Sequence, residues 1–117
     1  MTDNIYWILK AKIGDGKLEE LKKLAEDCCA LTKTEPGVMA YEWSLTQDME
    51  NLHIYERYKD SGAALEHMAN LSGKLQNLLE LVSVTEIECY GDTSSDFIEA
   101  TKDFPMVYME TFCGFRK

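Results

Sequence analysis

Residues 52–68 read LHIYERYKDSGAALEHM, a strand running into a helix, and the reading of the whole chain turns on that junction. Leu52, Ile54, Glu56 and Tyr58 alternate with His53, Tyr55, Arg57 and Lys59, so a period of two puts one set on each face of a strand. Glu56 is the odd member of the more apolar set. Beyond Tyr58, Asp60 or Ser61 caps a helix on which Ala64, Leu65 and Met68 fall at helical spacing, which leaves His67 on or beside the buried stripe. An inward acid and an imidazole on the following helix are groups from which proton transfer is built, so any chemistry is expected here.

Upstream, Val38 to Leu45 forms a second alternating run, and the polar connection Thr46 to Asn51 is short enough for a hairpin. Setting Leu45 opposite Leu52 places Trp43 opposite Ile54, Tyr41 opposite Glu56 and Met39 opposite Tyr58. One face of the hairpin is then aromatic and apolar with a single acid. The other carries Glu42, Ser44, His53, Tyr55 and Arg57, with a diagonal Glu42–Arg57 ion pair expected. Residues Ile5 to Ile13 give a first strand with Ile5, Trp7, Leu9, Ala11 and Ile13 on one side. After the glycine break at Gly14-Asp15-Gly16, Leu18, Leu21, Leu24, Ala25, Cys28 and Leu31 draw the stripe of an amphipathic helix, closed by a turn at Glu35-Pro36-Gly37.

Downstream, the helix from Ser61 reaches Asn70, Ser72-Gly73 interrupts it, and a short helix with Leu75, Leu78 and Leu79 follows. Val84 to Tyr90 reads as a fourth strand, Thr93 to Phe104 as a short helix or loop holding Phe97 and Ile98, and Met106 to Phe112 as a last strand reaching toward a partner subunit. Strand, helix, strand, strand, helix, strand is the α+β ferredoxin-like, split βαβ plan, with helices on one face of an antiparallel sheet. The other face carries Ile8, Val38, Ala40, Tyr55 and Tyr6, too apolar to stay wet, so a homodimer is expected.

The 117 residues fit one domain, 1–117, with a core over about 4–91 and a C-terminal extension over 92–117. Twelve basic residues against 21 acidic give a net charge of -9, which argues against nucleic acid and anionic membrane as partners. No apolar run approaches the roughly 20 residues that span a bilayer, and a cytoplasmic protein is expected. The four cysteines contain no CxxC pair, and Cys28 reads as a small core hydrophobe. His53 and His67 make a poor metal cluster, and Gly14-Asp15-Gly16 lacks the third glycine of a dinucleotide fingerprint, so no metal and no cofactor are expected.

Lys12 to Leu18 with its glycines, Glu35-Pro36-Gly37 with Tyr41-Glu42, and Tyr55-Glu56-Arg57-Tyr58 followed by Leu65-Glu66-His67-Met68 resemble the antibiotic biosynthesis monooxygenase (ABM) family of dimeric α/β barrels. The match covers roughly the first three quarters of the chain. The family includes cofactor-free oxygenases of quinols and polyphenols, haem-degrading enzymes, and an isomerase of a phosphorylated sugar. In that resemblance His67 matches the histidine on the second helix of the quinol-oxygenase and isomerase branches, and Glu56 matches the acid of the third-strand motif. The haem-degrading branch has an asparagine where this chain has Trp7 and a tryptophan where it has His67. Many members also follow the second helix with Ser-Pro-His-Phe, where this chain has Leu71-Ser72-Gly73-Lys74, so a second family histidine is missing.

The resemblance implies a cofactor-free monooxygenase of quinol-like or polyphenolic small molecules. His67 or Glu56 is the candidate base, and Trp7, Tyr41, Trp43 and Tyr58 are candidates to stack on a flat aromatic substrate. The alternatives are an isomerase working by enolisation and a non-catalytic ligand-binding dimer. In the blander reading His67 is a partly exposed helix residue bonded to backbone, and Glu56 is a buried carboxylate satisfied by tyrosine hydroxyls or backbone donors.

Overall fold

The computed structural model describes residues 4–117, so residues 1–3 of the expected domain lie outside the described residues. In chain order the elements are β1 (Ile5–Ile13), α1 (Leu18–Thr32), β2 (Val38–Leu45), β3 (Asn51–Tyr58), α2 (Ser61–Asn70), α3 (Ser72–Leu81), β4 (Val82–Gly91), α4 (Ser95–Thr101) and β5 (Met106–Met109). One five-stranded sheet runs in the order β2-β3-β1-β4-β5. Every pair in it is antiparallel except β4 with β5, which is parallel. The fold is the expected ferredoxin-like α+β plan.

Strand β1 sits at the centre because it is the most regularly patterned strand: Ile5, Trp7, Leu9, Ala11 and Ile13 are all buried on the helix side. The hairpin register holds for Leu45–Leu52, Trp43–Ile54 and Tyr41–Glu56. Below Tyr41 it departs from expectation. A bulge between Val38 and Ala40 sets Val38, not Met39, opposite Tyr58, leaving Met39 half-exposed and turning Val38 into the core. Val38 therefore leaves the open face to which the alternation had assigned it.

Helix α1 buries Leu21, Leu24, Cys28 and Thr32, while Leu31 is exposed. At about 3.6 residues per turn, the position one turn beyond Cys28 is Thr32, so the stripe closes on a hydroxyl instead of the expected leucine. Strand β4 starts at Val82, two residues earlier than its apolar pattern suggests, because α3 runs into it without a loop. The last strand spans Met106–Met109 instead of reaching Phe112, and it pairs with the edge of β4 in its own chain. Phe112 and Phe115 beyond it are bare.

On the open face Arg57 does not meet Glu42. Its guanidinium donates to Asn4 Oδ1 and Tyr55 Oη at 3.0 and 3.1 Å and lies 4.2 Å over the Tyr6 ring. Tyr6 in turn stacks on Tyr90 with ring centroids 5.0 Å apart. Asn4 is buried and the other side chains are half-buried, on a face that no helix among the described residues covers. No helix among the described residues is long and apolar enough to cross a membrane.

Candidate active site

Between the helix-side face of the sheet and helices α1 to α4 lies a cavity of about 110 Å³. Its walls are almost entirely apolar, and the ionisable groups that reach them are Glu56, His67, Tyr41, Lys74 and Cys28. The sheet register puts the polar ones together. Tyr41, Glu56 and Trp7 lie side by side on β2, β3 and β1, a single row across three strands. Helix α2 is laid over that row by two alanines, Ala63 and Ala64, whose small side chains let it approach closely, and one turn later His67 reaches the row. Asp60 starts the helix by accepting from the backbone N–H of Ala63 at 2.9 Å.

His67 is buried, with 6% of its surface exposed, and is not the partly exposed helix residue of the blander reading. Nor do its ring nitrogens bond to backbone. Nε2 stands 3.3 Å from Glu56 Oε1 and Nδ1 stands 2.9 Å from Glu35 Oε1. The second oxygen of Glu35 accepts from Asn70 Nδ2 at 2.8 Å. Burial by itself pulls the imidazole's affinity for a proton down, but the hydrogen bonds and charges of Glu56 and Glu35 outweigh it, and the His67 pKa is raised. Both ring nitrogens then act as donors.

Glu56 Oε1 also accepts from the hydroxyl of Tyr58 at 2.7 Å. Burial, the Glu56 charge and that same bond all push the Tyr58 phenol upward, so it stays protonated and donates. Tyr58 is fully buried and does not line the cavity, so it supports Glu56 from behind and is not the stacking surface expected from sequence. Trp7, Tyr41 and Trp43 do line the cavity. Trp7 is wedged between Tyr58 and Phe97 at centroid distances of 5.0 and 5.7 Å, and Tyr41 meets the His67 ring edge-on at 5.4 Å. Burial and the Glu56 charge hold the Tyr41 phenol protonated as well.

The Cys28 thiol is pushed up to about 11 by burial and stays a neutral hydrophobe. Sequence reasoning missed Glu35, Asn70 and Phe97 as site residues. Glu35 was visible only as part of a turn and of a stretch resembling the family, and nothing local marks a contact made across 32 positions of chain. Among the described residues no group of three or more His, Cys, Asp and Glu is arranged to hold a metal ion.

The chemistry this arrangement offers is proton transfer. Glu56 Oε1 accepts from Tyr58 and faces His67 Nε2, and no hydrogen bond among the described residues reaches Oε2, so one carboxylate oxygen is left over on a residue that lines an apolar, aromatic cavity.

The same architecture recurs in solved structures. MupZ from Pseudomonas fluorescens superposes with a TM-score of 0.91 at 20% identity, covering 100% of this chain and 91% of its own. A conserved protein from Methanosarcina mazei Go1 gives 0.70 at 21% identity over 77% and 93% of the two chains. SnoaB, a cofactor-independent oxygenase from Streptomyces nogalater, gives 0.69 at 12% over 80% and 97%. At these identities the likeness speaks for the fold. No curated protein matches the sequence. The model of the antibiotic biosynthesis monooxygenase family matches residues 5–72, a span that runs from β1 through α2 and contains Trp7, Glu35, Tyr41, Glu56 and His67. With more than half of the chain and every ionised member of the buried network inside that match, the chain belongs to the antibiotic biosynthesis monooxygenase family.

Proposed function

We propose that this protein is a cofactor-free monooxygenase of small phenols and quinols, with Glu56 as the base. The observation that carries the reading is the free Oε2 of a buried carboxylate whose other oxygen is pinned by Tyr58 and His67. His67 has both nitrogens engaged by carboxylates, which makes it the orienting and charge-balancing partner instead of the base.

In this mechanism Oε2 takes the hydroxyl proton of the substrate, and the phenolate in the apolar cavity becomes an electron donor. One electron passes to dioxygen, and the resulting radical pair joins as a peroxide at a ring carbon that bears hydrogen, para to the oxygen in a simple phenol and ortho to it in a hydroquinone. That carbon loses its hydrogen as a proton while the O–O bond breaks. The ring gains one oxygen as a carbonyl, and the other leaves as water. What the protein contributes is a positioned base, an apolar cavity and aromatic walls from Trp7, Tyr41 and Trp43 for a flat ring.

The working unit in this proposal is a homodimer, packed through the open sheet face around Tyr6, Ile8, Tyr55 and Tyr90. Oxygen-electrode assays over a panel of phenols and hydroquinones, with wild type and Glu56→Gln, test the function. Uptake by the wild type that collapses in the variant is the expected result. Substrate turnover that persists without oxygen would assign the same base to enolisation, the isomerase alternative, and no turnover of any kind would leave a ligand-binding role.

A further inference from the structure

Glu35 belongs to neither the sheet nor a helix, yet its position is fixed from both sides. Its backbone N–H donates to Thr32 O at 3.0 Å at the end of α1, and its carbonyl accepts from Val38 N at 3.4 Å at the start of β2. Its side chain reaches across to α2, where Oε1 meets His67 and Oε2 meets Asn70. Those two residues are three positions apart on one helix, so a single carboxylate clasps the last turn with both oxygens. The approach depends on Gly37. A Cβ placed there would stand 2.5 Å from the Cβ of Ala63, so only glycine lets α2 sit this close to the turn that carries Glu35.

We infer that Glu35, held by Asn70, is a positioning residue for the reaction: it locks the His67 ring from behind so that Nε2 stays turned toward the Glu56 side chain and fixes its orientation. The inference rests on the proposal that Glu56 is the base. The reason is geometric. An imidazole bonded at one nitrogen can rotate or exchange its tautomer, whereas one bonded to a carboxylate on each side keeps both protons and one orientation. The titratable and polar groups facing His67 are Glu35 from the turn, Tyr41 from β2, Glu56 and Tyr58 from β3, and Asn70 from its own helix, with Lys74 of α3 on the same cavity. The two nearest are acids.

The test compares Glu35→Gln, which keeps shape and loses charge, with Glu35→Asp, which keeps charge. Oxygen uptake in Glu35→Gln should lose at least about tenfold in kcat with KM near the wild-type value. Its activity should also fail at lower pH on the alkaline side, by about one unit or more, because His67 gives up its proton earlier. Glu35→Asp should recover part of the rate and of the pH limb. If Glu35 only ties the turn to α2, both variants will melt earlier while the pH profile stays in place, and that outcome overturns the inference. A second readout needs no substrate. The chain has only two histidines, so nitrogen-15 NMR resolves the His67 ring from His53. The His67 titration midpoint should drop in Glu35→Gln, and an unchanged midpoint overturns the inference even if the wild type consumes no oxygen and the proposed function fails.

Discussion

The Nε2 atom of His67 lies 3.3 Å from Oε1 of Glu56, and each side chain is 8% exposed. A carboxylate and an imidazole taken out of water together stabilise each other only as a pair. Removing either one strands the other in a medium that penalises lone charge.

Glu56→Gln tests this pair from the catalytic side. The amide keeps an oxygen for the Tyr58 hydroxyl, so the fold should survive. The rate of oxygen uptake should fall by about 10² to 10⁴, the usual worth of a general base, while KM moves little. A variant with more than half of the wild-type rate would place the base elsewhere.

His67→Ala tests it from the structural side. Because the ring is buried with a carboxylate at each nitrogen, its loss leaves both carboxylates without the cation between them, and stability should drop by about 3 kcal/mol or more in urea unfolding. An exposed helix histidine would cost far less. The same pairing gives a pH signature. The folded pKa of His67 is raised, so its stabilising contribution is complete below the unfolded value of about 6.5 and disappears as pH climbs through the folded value. Wild-type stability should therefore decline on the alkaline side more steeply than that of His67→Ala.

Gly37→Ala should cost about 1 to 3 kcal/mol, since the added methyl meets Ala63 at 2.5 Å and α2 must retreat. In the double variant with Ala63→Gly the clash is gone, and thermal unfolding should recover a large part of the loss. Simple addition of the two single costs would show that the contact is not what limits the approach of α2.

The open sheet face can be probed at Ile8, which lies between Tyr55 and Glu88 on the neighbouring strands. Ile8→Asp sets a like charge beside Glu88 and removes an apolar contact, so light scattering should report dissociation if that face joins two copies. Ala40→Asp is a poorer probe than the sequence suggests, because Ala40 pairs with Arg57 and a carboxylate there has a cation beside it. An unaltered mass for Ile8→Asp, or a monomeric wild type, would end the dimer proposal.

Most of the sheet was legible because strand period is a strong constraint. Once Leu45 faces Leu52, Tyr41 must face Glu56, and the observed register agrees. The bulge at Met39 was not legible, since nothing in Val38-Met39-Ala40 breaks the alternation. His67 was placed beside a stripe of Ala64, Leu65 and Met68, but the helix turns Ala63, Ala64 and His67 fully inward. Close packing of small residues outweighed the larger apolar ones. Glu56 and His67 were singled out as chemical residues, yet Glu35 was not, because its contact with the His67 ring arises only once the chain has folded.

The bulge between Val38 and Ala40 also acts as a spacer. Tyr41 marks the row of the sheet that holds Glu56, while Glu35 is anchored at the end of α1, and the chain from one to the other is longer by the extra residue than a regular ladder would need. Deleting Met39 would leave the hairpin and its loop intact but shorten that tether by about 3.3 Å, the rise of one strand residue, and draw Glu35 off the His67 ring. Length changes in the loop over residues 46–50 would have no such reach, because it lies at the far end of the hairpin. Along this chain, then, tolerance to insertion and deletion should be governed less by exposure than by which side of Tyr41 the change falls.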